Sequence, residues 1–563
     1  MWQWWRFIKK TRRHKNLDPD EIFLDSKNLS SFNVQQFEGR IEAPISKKVL
    51  RVLFLSFILV NVAFLWRLVN IQIIDGDLYT RQSENNKLKH TTVFADRGII
   101  YDRNGEELAW NDNGRHYIET GGFAHLLGYV GYPSEGQISE FGYNPRQLVG
   151  KVGIEESLNF SLLGENGLRI EDVNAKGEVL SDHILKDSKS GESVYLSVDV
   201  DLQASMYEAI KQIAEENGFR GGAGMVMDIQ TGEMLVLTSF PEYSSNILST
   251  GEDRATISKY NTDESLVFLN RALSGRYPPG STVKPFLAIG ALAEKTIDPN
   301  TRLKTNGELV LPNPYDPDNP TIFPDNKNHG LVDMRKGIAV SSNVYFYIVG
   351  GGFKDQKGLG IYNIYKYAKM FGLGEKTGID LAGEIDGIVP TPEWKEKNFD
   401  GEPWRIGDTY HTSIGQYGFS VTPIQEVRAF GTIASKGKMM KPILEKVATS
   451  TTNIKPQKTL DLPASYFKVI HEGMRMTVTE GTARSLDIPG LKMAAKSGSA
   501  EIDDSKRFVN SWVSGFWPYD NPRYAYTIVM ERGPRTTRVG AGSTMRRFID
   551  IAMPTSRDYF YGN

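Results

Sequence analysis

A serine and a lysine three positions apart, Ser281 and Lys284, carry the most reactive chemistry that the sequence suggests. Pro278-Pro279-Gly280 precedes them and an apolar run begins at Phe286, so the pair is predicted at the start of a helix. Pro285 then falls in or next to the first turn, where a missing N–H costs least. At this spacing both side chains share one face, and burial would lower the pKa of the lysine. The spacing predicts a nucleophile with an adjacent base, although an N-cap serine and a snorkelling lysine also fit it.

Two further short patterns could complete such a site. Ser341 and Asn343 lie two positions apart, so a hydroxyl able to relay a proton and an amide able to bind a peptide can project together. The structural alternative is an N-cap serine and a turn asparagine. In the stretch Met493–Ala500, Lys496 and Gly498 share one face of a predicted strand, where glycine admits a ligand and lysine attracts a carboxylate. The alternative there is an exposed lysine beside a bulge glycine.

Composition excludes several classes of protein. A length of 563 residues suggests two or three domains, and 40% hydrophobic with 24% charged residues describes a folded chain. The net charge of −2 gives no electrostatic case for a nucleic-acid partner. Cysteine is absent, which excludes disulfides and thiolate metal sites, and we expect neither a metal nor a cofactor. A polar loop with Asp316, Asp318, Asp325 and His329 is predicted to be solvated rather than metal-binding.

An apolar stretch at residues 49–68 predicts a transmembrane anchor. Its core is uncharged between Arg51 and Arg67, which can snorkel to opposite membrane surfaces. Basic residues concentrate before it, so the positive-inside rule places residues 1–48 in the cytoplasm and the remainder outside. The lack of a small-residue cleavage site favours an uncleaved anchor over a signal peptide. A buried core helix is the alternative.

Residues 69–190 predict a small, mostly β domain, which we call the pedestal. A strand–turn–strand pattern has Asn104-Gly105 at its turn, and Ala124–Gly131 predicts a short strand. Four charged residues of the hairpin are predicted to form exposed ion pairs rather than a catalytic group: Asp96, Arg97, Asp102 and Arg103.

Residues 191–563 contain all three chemical patterns and predict an α+β domain. Asp199 is a predicted N-cap for a helix that runs to about Glu216. Two hairpins are predicted near the ends of this segment, formed by Gly224–Asp228 with Glu233–Thr238 and by Val509–Phe516 with Tyr524–Met530. We therefore expect one antiparallel sheet completed by both ends, with a helical subdomain between them that carries Ser281.

The three patterns, in this order, resemble the motif set of the penicillin-binding proteins and serine β-lactamases. Further stretches resemble the transpeptidase domain of class B penicillin-binding proteins, namely Tyr277–Ser281, Phe371–Leu381, Gly407–Thr409, Ser413–Gln416 and Thr422–Gln425. Arg97–Gly105 resembles the start of their pedestal, and Ser341–Tyr347 and Pro390–Lys395 favour the elongation, or rod-shape, type. The segment between Ala109 and His125 is short where relatives often carry a head subdomain, and Ser499 replaces the more usual threonine.

The resemblance implies a peptidoglycan D,D-transpeptidase. Ser281 would attack the penultimate D-alanine of a stem peptide, Lys284 would take its proton, and Ser341 would help to protonate the leaving D-alanine. The backbone N–H groups of Ser281 and Ser499 would form the oxyanion hole. The implied substrate-binding residues are Asn343, Lys496, Ser497, Gly498 and Ser499, and β-lactams would acylate Ser281.

The resemblance also implies a setting and partners. The chain would be a single-pass protein of the bacterial cytoplasmic (inner) membrane that acts on lipid-linked nascent glycan beside a SEDS-type, RodA-like glycosyltransferase. The alternatives are a D,D-carboxypeptidase or β-lactamase with the same nucleophile, or a non-catalytic β-lactam receptor or wall-synthesis scaffold. The sequence does not decide between a role in elongation and one in division.

Overall fold

The computed structural model describes residues 46–80, 88–173, 179–313, 316–448, 454–502, 505 and 507–561. The described residues form two compact units. One comprises those of residues 1–89 with Asp172–Leu180, and the other comprises those of His90–Glu171 with Ser181–Asn563. The predicted cytoplasmic tail lies outside the described residues up to position 45.

An exposed apolar helix is the main element of the first unit. It runs from Lys47 to Val69 and continues as a π-helical turn over Asn70–Ile74. The Ser46 side chain caps it by accepting a hydrogen bond from the Val49 N–H. No residue of Lys47–Val69 is buried, and the mean hydropathy over an 18-residue window is 2.3. The predicted stretch at 49–68 is thus one helix that is long and apolar enough to cross a membrane.

The N-terminal part of the second unit is mostly β. Ile100–Tyr101 and Glu107–Asn111 form the predicted hairpin. The prediction of one strand at Ala124–Gly131 is partly wrong, because Ala124–Leu127 is helical and only Tyr129–Gly131 is a strand. A short apolar run has no period that separates helix from strand. The other strands that lie wholly in this part are Arg115–Tyr117, Val149–Val152 and Val194–Tyr195, and the other helices are Glu135–Phe141, Gly153–Ser157 and Asn159–Leu163. Three further strands have residues in both units, namely Leu88–Val93, Gly167–Val173 and Val179–Lys186.

The prediction of exposed ion pairs within the hairpin is wrong. Arg97 and Asp102 are buried. Arg97 donates to one carboxylate oxygen of the buried Glu155 at 2.5 Å, and Arg115 donates to the other at 2.7 Å. Asp102 instead accepts from the Asn104 N–H and orders the turn. Glu155 lies 58 residues from Arg97 along the chain, a separation that no local pattern reveals.

The C-terminal part is built on a five-stranded antiparallel sheet completed by both ends of the segment, as predicted. Its spatial order is Met234–Phe240, Gly221–Asp228, Tyr524–Pro534, Phe508–Trp517 and Ala494–Glu501. Helices cover both faces. Along the second of these strands Met225 and Met227 belong to the core that contains helix Pro423–Ala434, whereas Val226 belongs to the core that contains helix Val200–Asn217. Asp199 caps the latter helix, as predicted.

The inserted segment is mainly helical and leaves the edge strand Ala494–Glu501 facing the turn that carries Ser281. Its helices are Ser245–Thr250, Arg254–Thr262, Lys284–Ala293, Met334–Ala339, Asn343–Gly351, Ile361–Met370, Pro392–Asn398, Ile406–Ser413, Pro423–Ala434 and Ala464–Thr479, with short 3-10 turns at Gly280–Val283 and Arg484–Leu486. Its short strands are Leu303–Thr305, Glu308–Leu311, Thr321–Pro324, Gly330–Val332, Lys438–Met439 and Lys458–Thr459. Helices Ala541–Ala552 and Asp558–Tyr561 follow the sheet.

Candidate active site

Ser281 lies in the 3-10 turn Gly280–Val283, which we call the serine turn, and helix Lys284–Ala293 follows it directly. Pro285 occupies the first turn of that helix, as predicted. Ser281 is half-buried, whereas Lys284 is 0% exposed. The sequence interpretation as a snorkelling lysine is therefore wrong, because the first nine residues of this helix are buried and give its side chain no path to water.

The serine turn and the edge strand approach each other so closely that two glycines are required. Gly280 has φ +56°, and a Cβ there would lie 2.7 Å from the carbonyl oxygen of Ser499. A Cβ on Gly498 would lie 2.9 Å from the carbonyl oxygen of Pro279. Gly498 was predicted to let a ligand backbone approach the strand. The backbone that lies against it here is that of Pro279, immediately before the serine turn.

Lys284 joins the first motif to the second. Its Nζ donates to the carbonyl oxygen of Ser341 at 2.8 Å and to Oδ1 of Asn343 at 2.8 Å, and it lies 3.4 Å from Oγ of Ser341. The third motif reaches the same hydroxyl, because Nζ of Lys496 donates to Oγ of Ser341 at 2.8 Å. The fold thus gathers four predicted site residues from three separate segments around the hydroxyl group of Ser341. They are Lys284, Ser341 itself, Asn343 and Lys496.

Burial controls the charge of the two lysines. It lowers the pKa of Lys284 to about 7, against a smaller opposing effect of the Asp325 carboxylate. Burial also lowers the pKa of Lys496 well below its usual range, and the neighbouring Lys284 lowers it further. Two buried ammonium groups that share Ser341 cannot both hold their protons without a large cost in free energy. The site therefore holds at least one neutral amine near neutral pH.

The second motif adopts a conformation that its spacing did not predict. Ser341 has φ +56°, a left-handed conformation that is uncommon for a residue with a side chain. The N-cap of helix Asn343–Gly351 is Ser342, and not Ser341 as the structural alternative supposed. The left-handed turn at Ser341 and the helix start at Asn343 direct both side chains to Lys284.

Asp325 is a residue that sequence reasoning considered only as part of a solvated loop. Its carboxylate accepts from Ser342 Oγ at 2.6 Å and from the Asn343 and Val344 backbone N–H groups at 2.6 and 3.1 Å. It therefore holds the N-terminus of the helix that presents Asn343. The signal available in the sequence was an acidic residue in a loop before a helix, which is too common to assign.

Replacing Asp325 by alanine is expected to lower the free energy of unfolding by about 2–3 kcal/mol, because hydrogen bonds to a charged group contribute about 1.5–3 kcal/mol. Chemical denaturation of the purified chain measures this loss. Asp318→Ala, an exposed position of the same loop, is the matched control and should change stability by less than about 0.5 kcal/mol. Equal losses in the two variants would contradict the assignment.

The third motif divides between the two faces of the edge strand. Lys496 is 0% exposed and turned towards Ser341, whereas Ser497 is partly exposed and Ser499 is exposed. The Ser497 hydroxyl lies 2.5 Å from the hydroxyl of Thr482, a neighbour that the sequence patterns did not identify. The interpretation as an exposed lysine is wrong, and Lys496 and Ser497 present their side chains in different directions.

The loop considered for a metal contains no grouped ligands. His329 Nε2 lies 2.5 Å from the side-chain oxygen of Asn326, and Asp325 holds the helix start described above. Within the described part of the chain, no group of three His, Cys, Asp or Glu side chains could hold a metal ion.

Comparison with known proteins identifies the family to which this chain belongs. The model of the penicillin binding protein transpeptidase domain matches residues 222–550, and that of the penicillin-binding protein dimerisation domain matches residues 111–196. Peptidoglycan D,D-transpeptidase MrdA of Acinetobacter baumannii is 31% identical over 446 residues, 74% of this chain and 63% of that protein. MrdA of Haemophilus influenzae is 26% identical over 620 residues, 90% of this chain and 92% of that protein.

A solved complex between the penicillin-binding protein PBP2 and MreC of Helicobacter pylori has the same fold. Its TM-score is 0.70 with 26% sequence identity, and the match covers 84% of this chain and 99% of that chain. The transpeptidase match alone spans more than half of the sequence, and a dimerisation domain precedes it. The chain therefore belongs to the transpeptidase family of the class B penicillin-binding proteins.

Proposed function

We propose that this chain is a serine-type peptidoglycan D,D-transpeptidase in which Ser281 is the nucleophile and Lys284 is its base. The observation that carries the proposal is the buried cluster in which Lys284 and Lys496 both contact the Ser341 hydroxyl. A lysine with a pKa of about 7 is neutral in roughly half of the molecules at neutral pH and can accept a proton. Lys284 follows the half-buried Ser281 by three residues, at the point where the serine turn passes into the helix.

Acylation proceeds with a balanced transfer of protons. Ser281 Oγ bonds to the carbonyl carbon of the penultimate D-alanine while its proton passes to Lys284. The bond between the two D-alanines then breaks, and the leaving amine takes a proton from Lys284 through the hydroxyl of Ser341. An acceptor amine next attacks the ester, releases Ser281 and forms the cross-link, with protons moving in the reverse direction.

The carboxylate of the substrate changes the protonation of the two buried lysines. It binds at the edge strand near Ser497 and Thr482, and its negative charge favours the protonated form of Lys496. A charged Lys496 makes protonation of Lys284 less favourable, which prepares Lys284 to accept the Ser281 proton. Asn343 binds the substrate amide, and the N–H groups of Ser281 and Ser499 hold the oxyanion.

Labelling with a fluorescent penicillin tests the proposal. The purified full-length chain should form a stable covalent adduct, and Ser281→Ala should reduce labelling to background because the acylated oxygen is gone. An alanine variant that labels like the wild type would overturn the proposal. Rapid loss of the label would instead identify a β-lactamase, whose acyl-enzyme is hydrolysed.

The exposed helix Lys47–Val69 supports a single-pass anchor that holds this domain outside the cytoplasmic membrane. We assign residues 1–48 to the cytoplasm, 49–68 to the membrane, 69–190 to a pedestal with a shortened head and 191–563 to the transpeptidase domain. A RodA-like glycosyltransferase would supply the glycan strands whose peptides are cross-linked. Because the related PBP2 of Helicobacter pylori is solved with MreC, an MreC-like protein is a second partner of the proposed complex.

A further inference from the structure

A buried carboxyl group lies directly behind the serine turn and has no part in the chemistry proposed above. Glu426 belongs to helix Pro423–Ala434 and is 0% exposed. Its Oε1 lies 3.0 Å from Oγ1 of Thr282, the residue that follows Ser281. Its Oε2 is buried and has no hydrogen-bond partner among the groups that the structure describes.

This environment favours the neutral acid. Burial raises the pKa of the Glu426 carboxyl to about 8. An ionised carboxylate would leave a charged oxygen buried and unpaired at Oε2, whereas the carbonyl oxygen of a neutral acid costs much less there. Glu426 is therefore protonated at neutral pH.

The hydrogen bonds at Thr282 agree with the same proton. Thr282 Oγ1 lies 2.9 Å from the carbonyl oxygen of Pro279 and 3.0 Å from Oε1 of Glu426, and its single proton can serve only one of these oxygens. A neutral Glu426 satisfies both contacts, because the acid proton is donated to Thr282 Oγ1 and the threonine proton is then free for Pro279. The result is a directed chain from the acid of Glu426 through Thr282 to Pro279.

This chain of hydrogen bonds holds residues on both sides of the nucleophile. Thr282 follows Ser281 within the serine turn, Pro279 lies immediately before the turn, and both lie against the edge strand. A Cβ on Gly498 would come within 2.9 Å of the Pro279 oxygen and 3.0 Å of Thr282 Cγ2. A shift of Thr282 would therefore change the separation between Ser281 and the strand that carries Ser499.

We propose that Glu426 is a positioning residue that acts as a neutral hydrogen-bond donor and fixes the serine turn against the edge strand. This inference rests on the proposed function, because its readout is the rate at which Ser281 is acylated. The sequence gives only a faint signal for it, a single acidic residue within the apolar helix Pro423–Ala434.

The test compares a donor and a non-donor of similar shape at this position. The second-order rate of labelling by a fluorescent penicillin is measured on the full chain. Glu426→Gln keeps a neutral donor and should label within about threefold of the wild type, whereas Glu426→Met should label about tenfold more slowly, the effect of one lost hydrogen bond. The thermal midpoint of Glu426→Met should equal or exceed that of the wild type, because it removes a buried unpaired oxygen.

A double-mutant cycle identifies the path of the effect. Thr282→Val keeps the shape of the side chain and removes the hydroxyl, so adding Glu426→Met to it should slow labelling no further. The inference is overturned if the glutamine variant is as slow as the methionine variant, if the methionine variant labels like the wild type, or if the two effects multiply. A wild-type chain that takes no label would overturn the proposed function and this inference together, whereas a labelled wild type with an unaffected methionine variant overturns only the latter.

Discussion

Replacing Lys284 by methionine is expected to slow acylation of Ser281 by roughly a thousandfold, within the range for loss of a general base. Methionine fills a similar volume but cannot accept a proton. In the wild type the labelling rate should rise with pH and level off above about pH 7, because the pKa of Lys284 is lowered to about 7 and the neutral amine is the active form. Labelling rates of the wild type and of Lys284→Met, measured between pH 5.5 and 9, test both the loss of rate and the pH dependence.

The same substitution should increase stability at low pH. The pKa of Lys284 in the folded chain lies below its ordinary value of 10.5, so between about pH 7 and 10.5 the unfolded chain binds more protons. The wild type therefore gains up to about 1.4 kcal/mol per pH unit across this window relative to the methionine variant. The thermal midpoint of Lys284→Met should exceed that of the wild type by most at pH 6, and the difference should be smaller at pH 9.

The matched control is Lys441→Met, which removes a partly exposed lysine paired with Asp380 on the surface. Surface ion pairs contribute less than about 1 kcal/mol, so this variant should label like the wild type. If Lys284→Met labels within a few fold of the wild type, Lys284 is not the base, and Lys496, the other lysine at Ser341, becomes the candidate.

Local patterns were sufficient wherever neighbours in the sequence decide the structure. Prolines and glycine before Ser281 predicted a helix start, and Asn104-Gly105 predicted a hairpin, because backbone preferences act over a few residues. The sheet formed from both ends was also predictable, since two strong hairpins with helices between them leave few arrangements. These predictions place Ser281 correctly at the start of a buried helix.

Long-range packing decided what the patterns missed. The left-handed Ser341 is held by contacts with Lys284 and Lys496, which come from segments 57 and 155 residues away. Lys496 was predicted to face a ligand. The direction of its side chain, however, depends on which face of the strand packs on the helical subdomain, and no local pattern gives this. Glu426 has no local motif at all, because its role depends on a contact 144 residues away in sequence.

Replacing Gly415 by alanine is expected to slow acylation of Ser281 by about a hundredfold, the cost of misplacing reacting atoms by about 1 Å. Gly415 packs against the serine turn, and Gly280 N–H donates to its carbonyl oxygen at 3.0 Å. A Cβ on Gly415 would lie 2.1 Å from the Gly280 oxygen, which is backbone and cannot move aside alone. The turn would have to shift, and the carbonyl oxygen of Ser499, which lies 2.7 Å from the Cβ position of Gly280, leaves it little room.

The control separates this displacement from backbone strain. Gly415 has φ +76°, so alanine there also carries a conformational cost of about 1–2 kcal/mol. Gly251 ends helix Ser245–Thr250 in the left-handed conformation, with φ +66° and no heavy atom within 4 Å of its Cβ position, so Gly251→Ala should lose similar stability and still label at nearly the wild-type rate. Equal slowing in both variants would show that strain alone explains the effect. Slowing confined to Gly415→Ala, measured where both variants remain folded, would mean that acylation depends on three backbone segments packed without side chains around Ser281.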